Sequence, residues 1–149
     1  MKNLNLKIGL DIHGVIDKYP NLFSKLSKDL IRLGHEVHIV TGQQRIDAEP
    51  SVIESKVEFT HFFSIMDYHV SIGTKMTNED GNWYMDEKIW SSTKAMYAEV
   101  VGLDIHFDDR LDYLKPFPDS CSTVLVTANF DRFVNLIMEL GGVKSTQLS

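Results

Sequence analysis

The chain has 149 residues, 43% of them hydrophobic and 24% charged, and carries a net charge of −6. That length supports one domain with its own core, and that composition excludes a disordered chain. The acidic balance argues against a broad nucleic-acid-binding surface, and no apolar run nears the ~20 residues that span a bilayer.

Strand-like and helix-like segments alternate along the chain, with no repeat or linker between them. This predicts an α/β fold on a parallel sheet. Residues 7–10 read as a short apolar strand running into Asp11. Residues 21–33 read as a helix with Leu22, Leu26, Leu30 and Leu33 on one stripe, stopped by Gly34. Residues 36–40 form the second strand, which leads into Thr41-Gly42. Ser51 and Glu54 have capping-box spacing, predicting a helix toward Val57. A third strand covers 62–66. Residues 67–89 break the rhythm: the turn cluster at 78–82 predicts a β-hairpin excursion. Ser92 or Thr93 then caps a helix to Val101, ended by Gly102. Residues 104–107 form the fourth strand, running into Asp108-Asp109, and a short helix stops before Pro116. Residues 123–127 are the fifth strand, and 131–140 the last helix, stopped by Gly141-Gly142. Its stripe Phe133, Val134, Ile137 and Leu140 reads as core. The domain thus spans 1–142, and the polar tail 143–149 is expected to fray.

Three of the five strands end in chemically loaded residues: Asp11, Thr41 and Asp108-Asp109. Open α/β sheets bind ligands beyond the carboxyl ends of their strands, so these three segments should converge. A carboxylate can attack phosphorus if a cation offsets the repulsion between two anions. Asp108 and Asp109 stand where they can help hold that cation, and Mg²⁺ prefers such oxygen ligands. Thr41 and Gly42 offer a hydroxyl and an unhindered backbone N–H to phosphoryl oxygens. Lys94, placed at the start of a helix, adds positive charge, with Lys88 as the alternative.

In order, these segments resemble the four motifs of the haloacid dehalogenase-like superfamily. Asp11-Ile12-His13-Gly14-Val15 resembles the first, Val40-Thr41-Gly42 the second, Lys94 the third, and His106-Phe107-Asp108-Asp109 the fourth. The resemblance covers residues 6–127. It implies a three-layer α/β/α sandwich with a Rossmann-like sheet in the order 5-4-1-2-3. It further implies a Mg²⁺-dependent phosphomonoester hydrolase working through an aspartyl-phosphate on Asp11. The metal ligands it implies are the Asp11 carboxylate, the His13 backbone carbonyl, and Asp108 or Asp109, with Asp112 as a competitor.

The pattern departs at position 13, where the superfamily's phosphatases usually carry an Asp that serves as acid and base. His13 stands there instead. A histidine can do both jobs, because a free imidazole takes up and gives up a proton near pH ~6.5. The alternative is a catalytically weakened phosphate-binding or regulatory module on the same fold. No cap domain fits between Asp11 and Glu36, so the site should be open. An open site suits the end of a large substrate such as a polynucleotide, phosphoprotein or glycan. Alternatively, a second copy supplies a lid in a homo-oligomer, and the phosphorylated substrate can be a nucleotide, a nucleic-acid end, a phosphoprotein or a sugar phosphate. Trp83, Tyr84 and Trp90 are placed on the excursion, to pack there, meet a partner or stack on a base. Asp17 reads as a loop carboxylate. His35, His38, His61, His69 and His106 lack metal-ligand spacing and read as structural. The lone Cys121 cannot form an internal disulfide, and residues 1–10 lack the features of an export signal. Together these predict a cytoplasmic setting.

Overall fold

The computed structural model describes residues 4–140. The side chains of Ile137 and Leu140, the Gly141-Gly142 stop and the tail 143–149 lie outside the described residues. In chain order the elements are β1 (Lys7–Leu10), α1 (Pro20–Arg32), β2 (Glu36–Thr41), α2 (Arg45–Ser55), β3 (His61–Ser64), α3 (Ile65–Ile72), β4 (Thr77–Glu79), β5 (Asn82–Tyr84), α4 (Glu87–Val101), β6 (Ile105–Asp108), α5 (Leu111–Leu114), β7 (Ser122–Leu125) and α6 (Phe130–Leu140). Five strands form a parallel sheet in the order β3-β2-β1-β6-β7, and β4 and β5 pair antiparallel as a separate hairpin.

Alternation along the strands sends side chains to two faces. Val37 and Ile39 of β2 join Ile8 and Leu10 of β1 in one cluster, with Phe23 of α1, Val52 of α2 and Val134 of α6. Val40, one residue out of phase, joins Ala98 of α4, Leu103 and Cys121 in the other. The sheet is therefore covered on both faces by helices, as buried parallel sheets must be. No helix among the described residues is long and apolar enough to cross a membrane.

Several predicted boundaries are corrected. The strand expected over 62–66 ends at Ser64, whose Oγ accepts from the Asp67 N–H and opens α3. Helix thus takes the first part of the expected 67–89 excursion, up to Gly73 in the left-handed region (φ +73°), and the hairpin proper is only residues 77–84. Helix α4 starts at Glu87, not at Ser92 or Thr93. Asp86 caps it, accepting from the N–H groups of Lys88 and Ile89. The Ser92 and Thr93 hydroxyls instead donate back to the Lys88 and Ile89 carbonyls one turn earlier. Trp90 consequently belongs to α4, not to the hairpin, and Lys94 is mid-helix. Helix α2 starts at Arg45 and runs through Pro50, so Ser51 caps nothing and donates to the Ala48 carbonyl. Leu33 and Phe133 of the expected stripes are 62% and 57% exposed. Phe23, one residue from Leu22, is the fully buried anchor of α1.

Candidate active site

Strand β1 is flanked by β2 and β6, so the carboxyl ends of these three strands are neighbours. The Asp11 N–H donates to the Phe107 carbonyl at 3.0 Å, extending the ladder by one residue and fixing Asp11 beside the end of β6. The chain then turns through Ile12–Ile16 in wide hydrogen-bonded turns, Ile16 N–H to Asp11 O and Asp17 N–H to Ile12 O. Gly14 has φ +75° there, and a Cβ on it would collide with the Asp109 carboxylate. Only glycine meets both demands at this position.

Asp11, Asp108 and Asp109 meet, with one carboxylate oxygen from each lying within 4.8 Å of the others. Lys94, 1% exposed, reaches in from α4. Its Nζ is 3.1 Å from Asp11 Oδ1 and 2.7 Å from Asp108 Oδ2. Asp108 Oδ2 also accepts from His106 Nε2 at 3.0 Å, and its Oδ1 accepts from the Arg110 N–H. Burial would raise the Asp108 pKa, but the His106 hydrogen bond and the Lys94 charge outweigh it and hold the carboxyl below its ordinary range. Burial dominates at Asp11. With Asp108 adding to it and Lys94 opposing, the carboxyl is held well above its ordinary range. Burial also works against the Lys94 charge, yet the two carboxylates keep its pKa raised. One ammonium faces three carboxylates here, and this oxygen-only donor set could hold a metal ion.

The carboxylates open on a cleft of about 520 Å³. Of the residues expected there, Asp11, His13, Thr41, Gly42, Lys94 and Asp109 line it; Asp108 lies beneath, fully buried. Thr41 is the buried last residue of β2, and its Oγ1 accepts from the Gln43 N–H. A Cβ on Gly42 would lie 2.8 Å from the Trp90 ring, so glycine is what lets α4 close on this loop. The Trp90 indole donates to Tyr113 Oη at 2.7 Å, and the Tyr113 ring centroid is 4.4 Å from Lys94 Nζ. Asp112 lies outside this carboxylate cluster: it is exposed and faces Arg110.

Three roles were missed in the sequence. Asp17 is more than a loop carboxylate. Its Oδ1 accepts from the Gly14 N–H at 2.7 Å, and its Oδ2 is 3.3 Å from His13 Nδ1, so it organises the loop and orients the imidazole. His106, whose spacing predicts only a structural residue, braces Asp108 through its Nε2. Its i, i+2 spacing on one strand face was the available signal. Gln43, Gln44, Arg110 and Tyr113 also line the cleft, each within four residues of a predicted site residue. Trp83, from the hairpin, reaches the rim with 56% of its surface exposed. Compared with known proteins, the chain matches no family model, no curated protein and no solved structure.

Proposed function

We propose that the chain is a Mg²⁺-dependent phosphomonoester hydrolase of the haloacid dehalogenase-like type. The meeting of Asp11 with Asp108 and Asp109 around Lys94 carries this reading. The sheet supports it too: five parallel strands in the order β3-β2-β1-β6-β7, flanked by helices, bring the carboxyl ends of β1, β2 and β6 side by side.

The Asp11, Asp108 and Asp109 carboxylates and the His13 backbone carbonyl would hold Mg²⁺, which supplies positive charge against the repulsion between carboxylate and phosphate. Thr41 Oγ1 and the Gly42 N–H hold phosphoryl oxygens. Asp11 attacks phosphorus, forming a phosphoaspartate as the bond to the leaving oxygen breaks. His13 gives that oxygen a proton. It then takes a proton from the water that attacks the phosphoaspartate, releasing inorganic phosphate and restoring Asp11. Lys94 holds Asp11 in place throughout.

Among the described residues no domain covers the cleft, which suits an exposed phosphate on a nucleotide or a nucleic-acid end. Trp83 at the rim is placed to stack on a base. Phosphate release from p-nitrophenyl phosphate, with and without Mg²⁺, tests the reading. Release should require Mg²⁺ and fall by at least about 10⁴-fold in Asp11→Asn. Absence of turnover alongside Mg²⁺-dependent trapping of beryllofluoride would instead identify a phosphate-binding module.

A further inference from the structure

At the amino-terminal edge of the sheet, far along the strands from the cleft, three metal-ligating side chains meet. Glu36 and His38 are two apart on β2 and so share a face. His61 opens β3 directly opposite His38 in the parallel register. Glu36 Oε1 lies 3.0 Å from His38 Nε2 and 3.5 Å from His61 Nδ1. Tetrahedral bonds of ~2.0–2.1 Å to zinc put neighbouring ligand atoms about 3.3 Å apart, so these spacings already approximate part of a coordination shell. Behind them, Tyr97 Oη of α4 is 2.6 Å from His38 Nδ1. It can accept the Nδ1 proton and leave Nε2 with its lone pair toward the site, the second partner that metal-bound histidines commonly have.

We propose that Glu36, His38 and His61 form a second metal site, which takes a divalent ion of the zinc class in preference to Mg²⁺ and fastens edge strand β3 to β2. Two imidazoles and one carboxylate are the donors such an ion prefers, whereas Mg²⁺ seeks oxygen alone. Three protein ligands leave a fourth position for water. The buried His38 side chain is fixed by Tyr97. His61, 51% exposed, is the ligand that adjusts. Its ring now stacks on His38 at 4.2 Å and 6°, and one ion cannot lie in both planes. Binding therefore turns His61 out of the stack and replaces the contact of its Nδ1 with Thr60 Oγ1.

The test titrates Zn²⁺, and separately Co²⁺, into the full chain with Mg²⁺ in excess to occupy the carboxylate cluster. One equivalent should bind, and Co²⁺ should give the visible absorption of a low-coordinate nitrogen-ligated ion. At a free metal concentration about 100-fold above Kd, the thermal midpoint should rise by roughly 5 °C or more. His61→Ala and Glu36→Gln should each abolish the Co²⁺ absorption and the midpoint rise, and Tyr97→Phe should weaken binding about 10-fold or more. Asp11→Asn should leave all of these unchanged, so the result is independent of the phosphatase reading. Zinc stoichiometry and midpoint rise in His61→Ala equal to those of the unmodified chain would overturn the proposal. So would the absence of zinc binding in the presence of Mg²⁺.

Discussion

Lys94 is the residue on which the cleft's charge balance turns. Its ammonium is enclosed and shared by two carboxylates, one of which also takes a bond from His106. Deleting one member of a buried ion cluster leaves the others uncompensated, so Lys94→Met should lower unfolding stability by about 3–5 kcal/mol. Adding Asp108→Asn should recover part of that loss. A denaturant-melt double-mutant cycle measures the coupling, and strict additivity would show that the contact is energetically idle. His13 and Asp17 call for a different reading. His13→Ala should reduce phosphate release by about 10²–10⁴-fold, as expected for loss of an acid–base group. Unchanged rates would remove it from the mechanism. Asp17→Asn should give a smaller loss, because the imidazole stays but loses its carboxylate partner. The sequence exposed Asp11, Thr41 and Asp108 because each ends an apolar strand. It hid Asp17 and His106, whose roles depend on a turn and a packing direction that residue spacing does not specify.

At the level of elements, the sheet strands were legible because short apolar runs bounded by turn residues have few alternatives. The region after β3 was not. Residues 65–72 are too short and apolar for periodicity to separate helix from strand, and what decides is the Ser64 cap. The start of α4 was misplaced for a related reason, since Asp86, Ser92 and Thr93 are all good caps by type. Helices α3 and α4 are joined by His69, whose ring nitrogens lie 2.7 Å from the hydroxyls of Thr74 and Thr93. The Thr93 hydroxyl donates to the Ile89 carbonyl, so it accepts from His69 Nε2–H, and a neutral ring satisfies the whole chain of bonds. Burial lowers the His69 pKa below its ordinary 6.5. The unfolded chain therefore binds the proton more readily. The stability this group contributes is complete above pH 6.5 and is lost as pH falls toward and through the folded value. Replacing His69 by Gln should flatten the decline in thermal midpoint between neutral and mildly acidic pH. An identical decline in both proteins would assign the acid sensitivity to other groups.

In the molecule as a whole, the hairpin forms a two-stranded sheet separate from the five-stranded one, with both its strands exposed along their length. Replacing residues 77–84 by a short glycine-serine turn should leave the fold and the hydrolysis of p-nitrophenyl phosphate intact. The same change should weaken the use of nucleotides, read as a rise in KM with little change in kcat. Equal losses for both substrates would instead make the hairpin part of the scaffold.

The indole of Trp90, wedged between Gly42 and Tyr113, has a practical corollary. The chain contains two tryptophans, and the other, Trp83, borders the same cleft. All of the protein's tryptophan emission therefore originates at this one opening. Unlabelled candidate ligands can be ranked simply by watching that glow dim or change colour, before any chemistry is assayed.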